Sequence, residues 1–513
     1  MDEFAAEVAR RDPDRKAIVD RDRRVSYSQL VDASERAAGM LARLGVRAGD
    51  VVSFQLPNWL EAAIVHYATV RLGAVSNPII PIYRAREVEF IVRQARTRVL
   101  VVPDVFRRFD YREMVAEFRD RAPDLEHVLV VGEPGDGASS FAAELEAGGS
   151  VPNTDRTSGD PALVLYTSGT EATPKGVLHS HDTLVYECRS IIDLYELTGR
   201  DRVFMPSPVT HITGLLYGVL LPFMLGTTVV FQDMWDAATA LDLIERERCS
   251  FCVGATPFLH GLVHAPDLKE RDISSLRVFG CGGADVPPAL IREAHERLGI
   301  VASRLYGSTE CPTVTGTPLR APLRQHADTD GRAIGRSELR VVDERGGELP
   351  PGERGDLQVR GPDLCLGYLD PALNDRAFTE DGWFRSGDLA VVDADGGVRI
   401  AGRSKDIIVR GGENLSAKEI EDLLFEHPAV EEVAVVGYPD PVLGERACAF
   451  VVATGPLTLE ELVDFLRERR VANQKLPERL QVVSALPKTA SGKVQKFRLR
   501  DRLRDEADEA VAT

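Results

Sequence analysis

Lysine is scarce in this chain. Nine of its 62 basic side chains are lysines and the other 53 are arginines, so a lysine inside a glycine-bearing loop carries more information than usual. Cysteine is scarce too: the seven (188, 249, 252, 281, 311, 365 and 448) are odd in number and scattered. That excludes a disulfide scaffold and suits a reducing cytoplasm. Cys249-Ser250-Phe251-Cys252 has the spacing of a metal or redox pair but no second pair. In a strand its thiols would point to opposite faces, so it reads as packing. Positive charge is short overall, with a net charge of −18, which argues against nucleic acid or an anionic membrane as the general partner. A local basic pocket for an anion is still compatible with that total.

Long apolar runs are nearly absent. Residues 212–231 carry no charge, but Gly214, Gly218, Pro222 and Gly226-Thr227-Thr228 are expected to break them into a short helix, a turn and a strand. The opening Met1-Asp2-Glu3 is acidic where a signal peptide is basic, and Val511-Ala512-Thr513 forms no peroxisomal address. The expectation is a cytoplasmic protein with no membrane insertion. At 513 residues, 44% hydrophobic and 28% charged, the chain should fold into two or more domains with large cores.

What is present is a repeating α/β texture. Val51–Phe54, a helix from Trp59 to Leu72 and Ala74–Ser76 form a βαβ unit, which implies parallel pairing. Strand-like runs return at 99–102, 128–131, 228–231, 250–253 and 278–280. Helices covering mainly parallel sheets are therefore expected. From about Ile334 short strands and tight turns predict a β-rich subdomain. Beyond Gly402-Arg403-Ser404-Lys405-Asp406 a compact α+β pattern begins with a helix at Ser416–Phe425, where Ser416 and Glu419 form a capping box. The expected division is 1–404 and 405–513.

The stretch Leu165-Tyr166-Thr167-Ser168-Gly169-Thr170-Glu171-Ala172-Thr173-Pro174-Lys175-Gly176-Val177 says most about function. A short strand opens into a loop of hydroxyls, glycines and one lysine, the set of donors a polyphosphate needs. It is neither a Walker loop nor the Rossmann glycine pattern, and taken alone it also admits the reading of a surface turn. Four more segments share its character. They are Tyr306-Gly307-Ser308-Thr309-Glu310, Trp383 to Leu389 with Asp388, Gly402 to Asp406, and Pro487-Lys488-Thr489-Ala490-Ser491-Gly492-Lys493.

In this order the segments resemble the signatures of the adenylate-forming superfamily: acyl-CoA synthetases, nonribosomal adenylation domains and beetle luciferases. The resemblance runs from Tyr27-Ser28-Gln29-Leu30 to Lys496. It implies a large N-terminal domain, a small mobile C-terminal domain, and activation of a carboxylic acid by ATP. Thr167, Ser168, Gly169, Thr170 and Lys175 would hold the β- and γ-phosphates. Gly282, Gly283 and Ala284 with Tyr306 and Gly307 would sandwich adenine. Thr309 would bond the α-phosphate and Glu310 would ligate Mg²⁺. Asp388 would take the ribose hydroxyls, with Arg403 nearby. Lys493 would bridge substrate carboxylate and α-phosphate, His211 would gate the acyl pocket, Lys405 would be the hinge, and Gly412 would let pantetheine of coenzyme A pass close to backbone.

The gate segment Val209-Thr210-His211-Ile212-Thr213-Gly214-Leu215 lacks the aspartate that binds an amino acid's ammonium group. Arg410-Gly411-Gly412-Glu413-Asn414 and Phe54-Gln55-Leu56-Pro57-Asn58-Trp59 look like those of medium-chain and cyclohexanecarboxylate-type acyl-CoA ligases. Pocket walls by that resemblance are 213–217, 253–255, 280–282 and 311–314, all without charge, which fits an uncharged, bulky or medium-chain acyl group. The family usually has Thr-Gly or Ser-Gly where this chain has Glu171-Ala172. That departure keeps an alternative open: an acyl-AMP ligase loading a carrier protein, or a noncatalytic acyl-adenylate binder. The resemblance leaves room for a homodimer and does not name the acid.

Overall fold

Two sheets of mainly parallel strands face each other across a shared layer of helices. The computed structural model describes residues 2–512 apart from 168–173, 285, 404–405, 411–412, 441–442, 470 and 490–491. In the first sheet, Lys16–Asp20, Arg202–Met205, Thr228–Phe231, Phe251–Gly254, Val278–Cys281 and Val301–Arg304 run parallel, and Arg23–Ser26 adds an antiparallel edge. In the second, Val51–Phe54, Val75–Pro78, Thr97–Pro103 and His127–Val131 run parallel with Pro161–Thr167. Lys175–Ser180 then returns antiparallel to Pro161–Thr167. Lys175 and Gly176 thus begin a strand, where a continuous loop was expected.

The βαβ expectation holds at Val51–Phe54, Leu60–Arg71 and Val75–Pro78. Helix Leu60–Arg71 is buried at every residue from Ala62 to Val70, as a helix that is apolar all round must be. Its core joins Val52 and Phe54 of the second sheet to Val203, Met205 and Val229 of the first. The seven cysteines are free and buried. Among the described residues no helix is long and apolar enough to cross a membrane.

The run 212–231 departs from the expected helix, turn and strand. Ile212–Leu215, a π-helical turn at Leu216–Leu220 and Leu221–Leu225 follow one another directly, before strand Thr228–Phe231. Gly214 does not break this helix, because its missing side chain makes room for a neighbour. A Cβ there would lie 2.0 Å from the Pro208 carbonyl oxygen. Pro222 sits in the first turn of the last segment, where an absent N–H is tolerated. Termination waits for Gly226, in the left-handed region at φ 65°.

A four-stranded antiparallel sheet, Glu338–Val342, Arg354–Arg360, Phe384–Val392 and Val398–Arg403, forms the expected β-rich part. Asp388 lies within its third strand, opposite Arg403, not on a turn. The C-terminal sheet contains Ile407–Arg410, Glu413–Ser416, Val430–Asp440, Gly444–Ala453 and Arg479–Val482. Only half of the expected capping box forms at Ala417–Leu424. Ser416 Oγ accepts from Glu419 N at 3.3 Å, while the Glu419 carboxylate reaches Lys475 Nζ at 2.6 Å.

One side chain fastens the two sheets together. Asn58, buried at the head of Leu60–Arg71, donates through Nδ2 to the carbonyls of Met205, Ser207 and Gln232 at 3.2, 2.9 and 3.0 Å. Its Oδ1 accepts from Val209 N at 2.8 Å. Truncation would strand the Ser207 and Gln232 carbonyls and the Val209 N–H in the interior, while the Met205 carbonyl keeps Gln232 N at 3.2 Å. Asn58→Ala should lower the unfolding free energy of the large domain in urea by about 2–4 kcal/mol; a loss under about 1 kcal/mol would mean that water replaces the amide.

Candidate active site

Parallel strands end on one side of a sheet, and the loops that follow them gather there, the usual place for a ligand in such folds. The loop after Val278–Cys281 supplies Gly282, Gly283 and Ala284, and the loop after Val301–Arg304 supplies Tyr306 and Gly307. Thr167 closes strand Pro161–Thr167. Two cavities of about 570 and 460 Å³ meet there and share Gly283, Leu305, Tyr306, Gly307, Arg403 and Lys493. The larger takes in Thr167, Lys175, His211, Gly282, Thr309 and Glu310. Ala284 and Asp388 line the smaller. Residues from 80 to 496 of the sequence are thereby brought into one cleft. Ser168, Gly169, Thr170, the Glu171-Ala172 departure, Lys405 and Gly412 lie outside the described residues.

The smaller cavity carries an aromatic ring fixed to a carboxylate. Tyr306 Oη donates to Asp388 Oδ2 at 2.7 Å, and Arg403 Nε lies 3.2 Å from Asp388 Oδ1. Burial, with Asp388 beside it, holds the Tyr306 phenol well above its ordinary range, so it stays a donor. The turn that follows requires glycine, since a Cβ on Gly307 would lie 1.9 Å from the Pro312 carbonyl oxygen. A flat ring beside a carboxylate with bound cation suits a base and a pair of hydroxyl donors.

The larger cavity has a polar and an apolar end. At the polar end the Thr309 carbonyl accepts from His179 Nε2 at 2.8 Å, and burial lowers His179 to about 4, leaving a neutral ring. Glu310 is held twice: Tyr368 Oη donates to its Oε1 at 2.7 Å, and its carbonyl accepts from Cys365 N at 2.8 Å. Among the described residues there is no cluster of three potential metal ligands. One carboxylate fits a Mg²⁺ ion that arrives with most of its oxygen ligands on a polyphosphate. His211 caps Ile212–Leu215 through Nδ1, which accepts from Thr213 N at 3.4 Å. Burial lowers it too to about 4.

Lys493 arrives from the other end of the chain. Its carbonyl accepts from Thr489 N at 2.7 Å and its N–H donates to Thr489 Oγ1 at 3.1 Å, closing a tight loop. Gly492, at φ 84°, brings this loop so close to the start of Thr256–Val263 that a Cβ would lie 2.9 Å from Pro257 Cγ. Five other lysines hold a carboxylate within 3.1 Å: Lys16 with Glu247, Lys418 with Asp422, Lys475 with Glu419, Lys488 with Glu432 and Lys496 with Glu421. Lys175 and Lys493 line the larger cavity.

At the apolar end, Thr213, Tyr217, Val253 and Thr313 fall within the expected wall segments. Behind them lies a polar group that sequence reasoning missed. Tyr217 Oη donates to Glu187 Oε1, and the Tyr217 and Thr313 hydroxyls are 2.5 Å apart. Glu187 is fully buried and its Oε2 has no partner. The available signal was an acid at a core-facing position of the helix Leu184-Val185-Tyr186-Glu187-Cys188. His179 and Tyr368, which orient Thr309 and Glu310, were missed as well, because each acts from a strand remote in sequence.

Comparison with known proteins places the chain in a family. The family described as AMP-binding enzyme matches residues 5–369, and the AMP-binding enzyme C-terminal domain matches 419–493. The chain is 38% identical over 506 residues to the medium-chain fatty-acid–CoA ligase of Escherichia coli (strain K12), covering 97% of this chain and 89% of that one. It is 34% identical over 505 residues to the salicyl-AMP ligase / salicyl-S-ArCP synthetase of Mycobacterium tuberculosis, with 97% and 89% covered. Among solved structures, the anthranilate CoA ligase AuaEII in complex with anthranoyl-AMP superposes with a TM-score of 0.91 at 27% identity, covering 98% of both chains.

Burial, reinforced by the neighbouring Asp363 carboxyl, lifts Glu187 from 4.5 to about 8. The folded state then binds a proton that the unfolded chain releases above about pH 4.5. This stabilisation is complete below that pH and is lost as the pH rises towards 8. Glu187→Gln cannot titrate. The stability of the native chain relative to this variant should therefore fall between pH 5 and 8 in urea unfolding; a constant or rising difference would place an ionised carboxylate at Glu187.

Proposed function

The chain belongs to the AMP-binding enzymes, in the acyl-CoA synthetase branch of the adenylate-forming superfamily, and from that membership we infer that it joins a carboxylic acid to coenzyme A in two steps driven by ATP. It is an acid–thiol ligase of the AMP-forming kind. The observation that carries the assignment of roles is the position of Lys493. It stands at the junction of the Tyr306–Asp388 chamber and the chamber of His211, Thr309 and Glu310.

A carboxylate is a weak nucleophile, and the α-phosphate is shielded by its own negative charge. In the first step a carboxylate oxygen bonds to the α-phosphorus while the bond from phosphorus to the pyrophosphate oxygen breaks. Negative charge shifts across the phosphorus and its leaving group. A lysine ammonium aimed at that point lowers the barrier more than it strengthens ground-state binding. Lys493 supplies it, Thr309 donates to the α-phosphate, and Lys175 neutralises the outer phosphates. Asp388 receives the ribose hydroxyls, and Gly282, Gly283, Ala284 and Gly307 let adenine lie against backbone and the Tyr306 ring. Glu310 would hold Mg²⁺, which supplies neutralisation of phosphate charge when bound. His211, neutral at physiological pH, walls the acyl side without competing for the carboxylate.

In the second step a thiol loses its proton, its sulfur bonds to the acyl carbon, and AMP leaves. That step needs room where the Lys493 loop sits against Pro257. We propose that the segment from about residue 405 turns on Lys405 between the steps and brings Gly412 to the thiol. The uncharged wall of Thr213, Tyr217 and Val253 supports an uncharged acyl group. The buried free thiols support a reducing, cytoplasmic setting. The salicyl-AMP ligase relative favours a second reading, with a carrier-protein thiol as the acceptor in place of coenzyme A.

Lys493→Ala should reduce adenylate formation by about a hundredfold or more, measured as pyrophosphate release, yet leave thioester formation from a supplied acyl-adenylate largely intact. Equal loss in both half-reactions would remove the role given to Lys493. Asp388→Ala should raise the KM for ATP by roughly tenfold, and an unchanged KM would take Asp388 out of the nucleotide site. A panel of carboxylic acids with ATP, scored separately for pyrophosphate and for thioester with coenzyme A or a carrier protein, decides between the two acceptors.

A further inference from the structure

Tyr217 combines three features that bear on the acyl end of the cleft. Its ring lines the larger cavity, its hydroxyl is tied down behind the wall, and it sits on the π-helical turn Leu216–Leu220. Such turns cost regular hydrogen bonding and are frequent at functional sites. Resting on the adenylation reading above, we propose that Tyr217 is the floor of the acyl chamber and restricts the substrate to a compact carboxylic acid, medium-chain or aromatic.

The helix sets a scale for the chamber if the acyl group lies along it. His211 at the cap and Tyr217 within the π turn both line the cavity. At the α-helical rise the step between them is about 9 Å. Extended covalent chain advances about 1.2 Å per bond, so the chamber holds an acyl chain of roughly seven carbons, or a flat aromatic group. Longer chains meet the Tyr217 ring.

The ring cannot readily swing aside. Tyr217 donates to Glu187 Oε1 and shares a 2.5 Å contact with Thr313, which comes from a different part of the chain. On the far side the backbone carbonyl of Leu216 accepts from Cys188 Sγ at 3.6 Å, fixing the π turn to the helix that carries Glu187. Rotating the phenol out would take the Tyr217 hydrogen bond away from Glu187 Oε1, in a buried carboxyl whose Oε2 already has no partner. Glu187 is thus the positioning residue and Tyr217 the one that touches the substrate.

The test is the rate of pyrophosphate release by the full chain with straight-chain acids from butyrate to palmitate, together with benzoate. The native chain should prefer hexanoate, octanoate or benzoate over palmitate. In Tyr217→Ala the ratio of kcat/KM for laurate over hexanoate should rise about tenfold or more, through the KM for the acid, with the KM for ATP unchanged. Tyr217→Leu serves if the alanine variant does not fold, and it should shift the ratio in the same direction. Tyr217→Phe keeps the ring and should shift it least. An unaltered chain-length profile in a folded, pyrophosphate-releasing Tyr217→Ala overturns the inference and leaves adenylation standing. So does a phenylalanine variant that shifts as far as the alanine one. Absence of pyrophosphate release with every acid overturns the adenylation reading and this inference with it.

Discussion

Four hydrogen bonds from one amide hold the working parts of this molecule in register. Asn58 stands in the turn between strand Val51–Phe54 of the second sheet and helix Leu60–Arg71, and its side chain bonds to backbone at the ends of first-sheet strands. Sheets packed through a helical layer can slide, because apolar contacts are not directional. Hydrogen bonds are directional, and these fix the segment from Met205 to Val209. That segment leads into His211 and the helix behind it, whose packing against the Pro208 carbonyl depends on Gly214. The position of the segment that leads to His211 therefore depends on this buried asparagine, together with the bonds from Leu60 N to Asp20 Oδ2 and from Tyr67 Oη to the Val219 carbonyl.

A second constraint is electrical. The chain carries a large negative charge, yet its proposed ligand is a polyphosphate. The cleft resolves this by keeping nearby titratable groups neutral or paired. His179 and His211 are uncharged at physiological pH, Glu187 keeps its proton, and Asp388 is shared between Tyr306 and Arg403. Against so neutral a background a few cations dominate the local field, and their effect is strong because the surroundings are poorly polarisable.

Much of the fold is legible in the sequence, because parallel strands buried on both faces must be short apolar runs and their crossovers must be helices. Val51–Phe54 with Leu60–Arg71 shows this plainly. Legibility fails where a residue's usual habit is overridden by its neighbours. Gly214 and Gly218 are helix breakers in water, but here they let backbone pack closely inside a core. Glu419 would complete a capping box in an isolated helix, but Lys475 takes its carboxylate. At the site, residues in the glycine-bearing loops are legible because their chemistry needs that setting. Glu187, His179 and Tyr368 are not, since each acts through a partner that only the folded chain brings near.

The pairing of lysines with carboxylates has a chemical consequence for a protein that makes its own acylating agent. An acyl-adenylate reacts with any amine that offers a lone pair, and a molecule escaping the cleft meets the enzyme's surface first. Guanidinium groups do not react in this way, because they remain protonated at any pH the fold survives. Most of the cationic surface here is arginine, and five of the nine lysines hold their ammonium groups against carboxylates. The surface is thereby poor in free amines that the intermediate made beneath it could acylate.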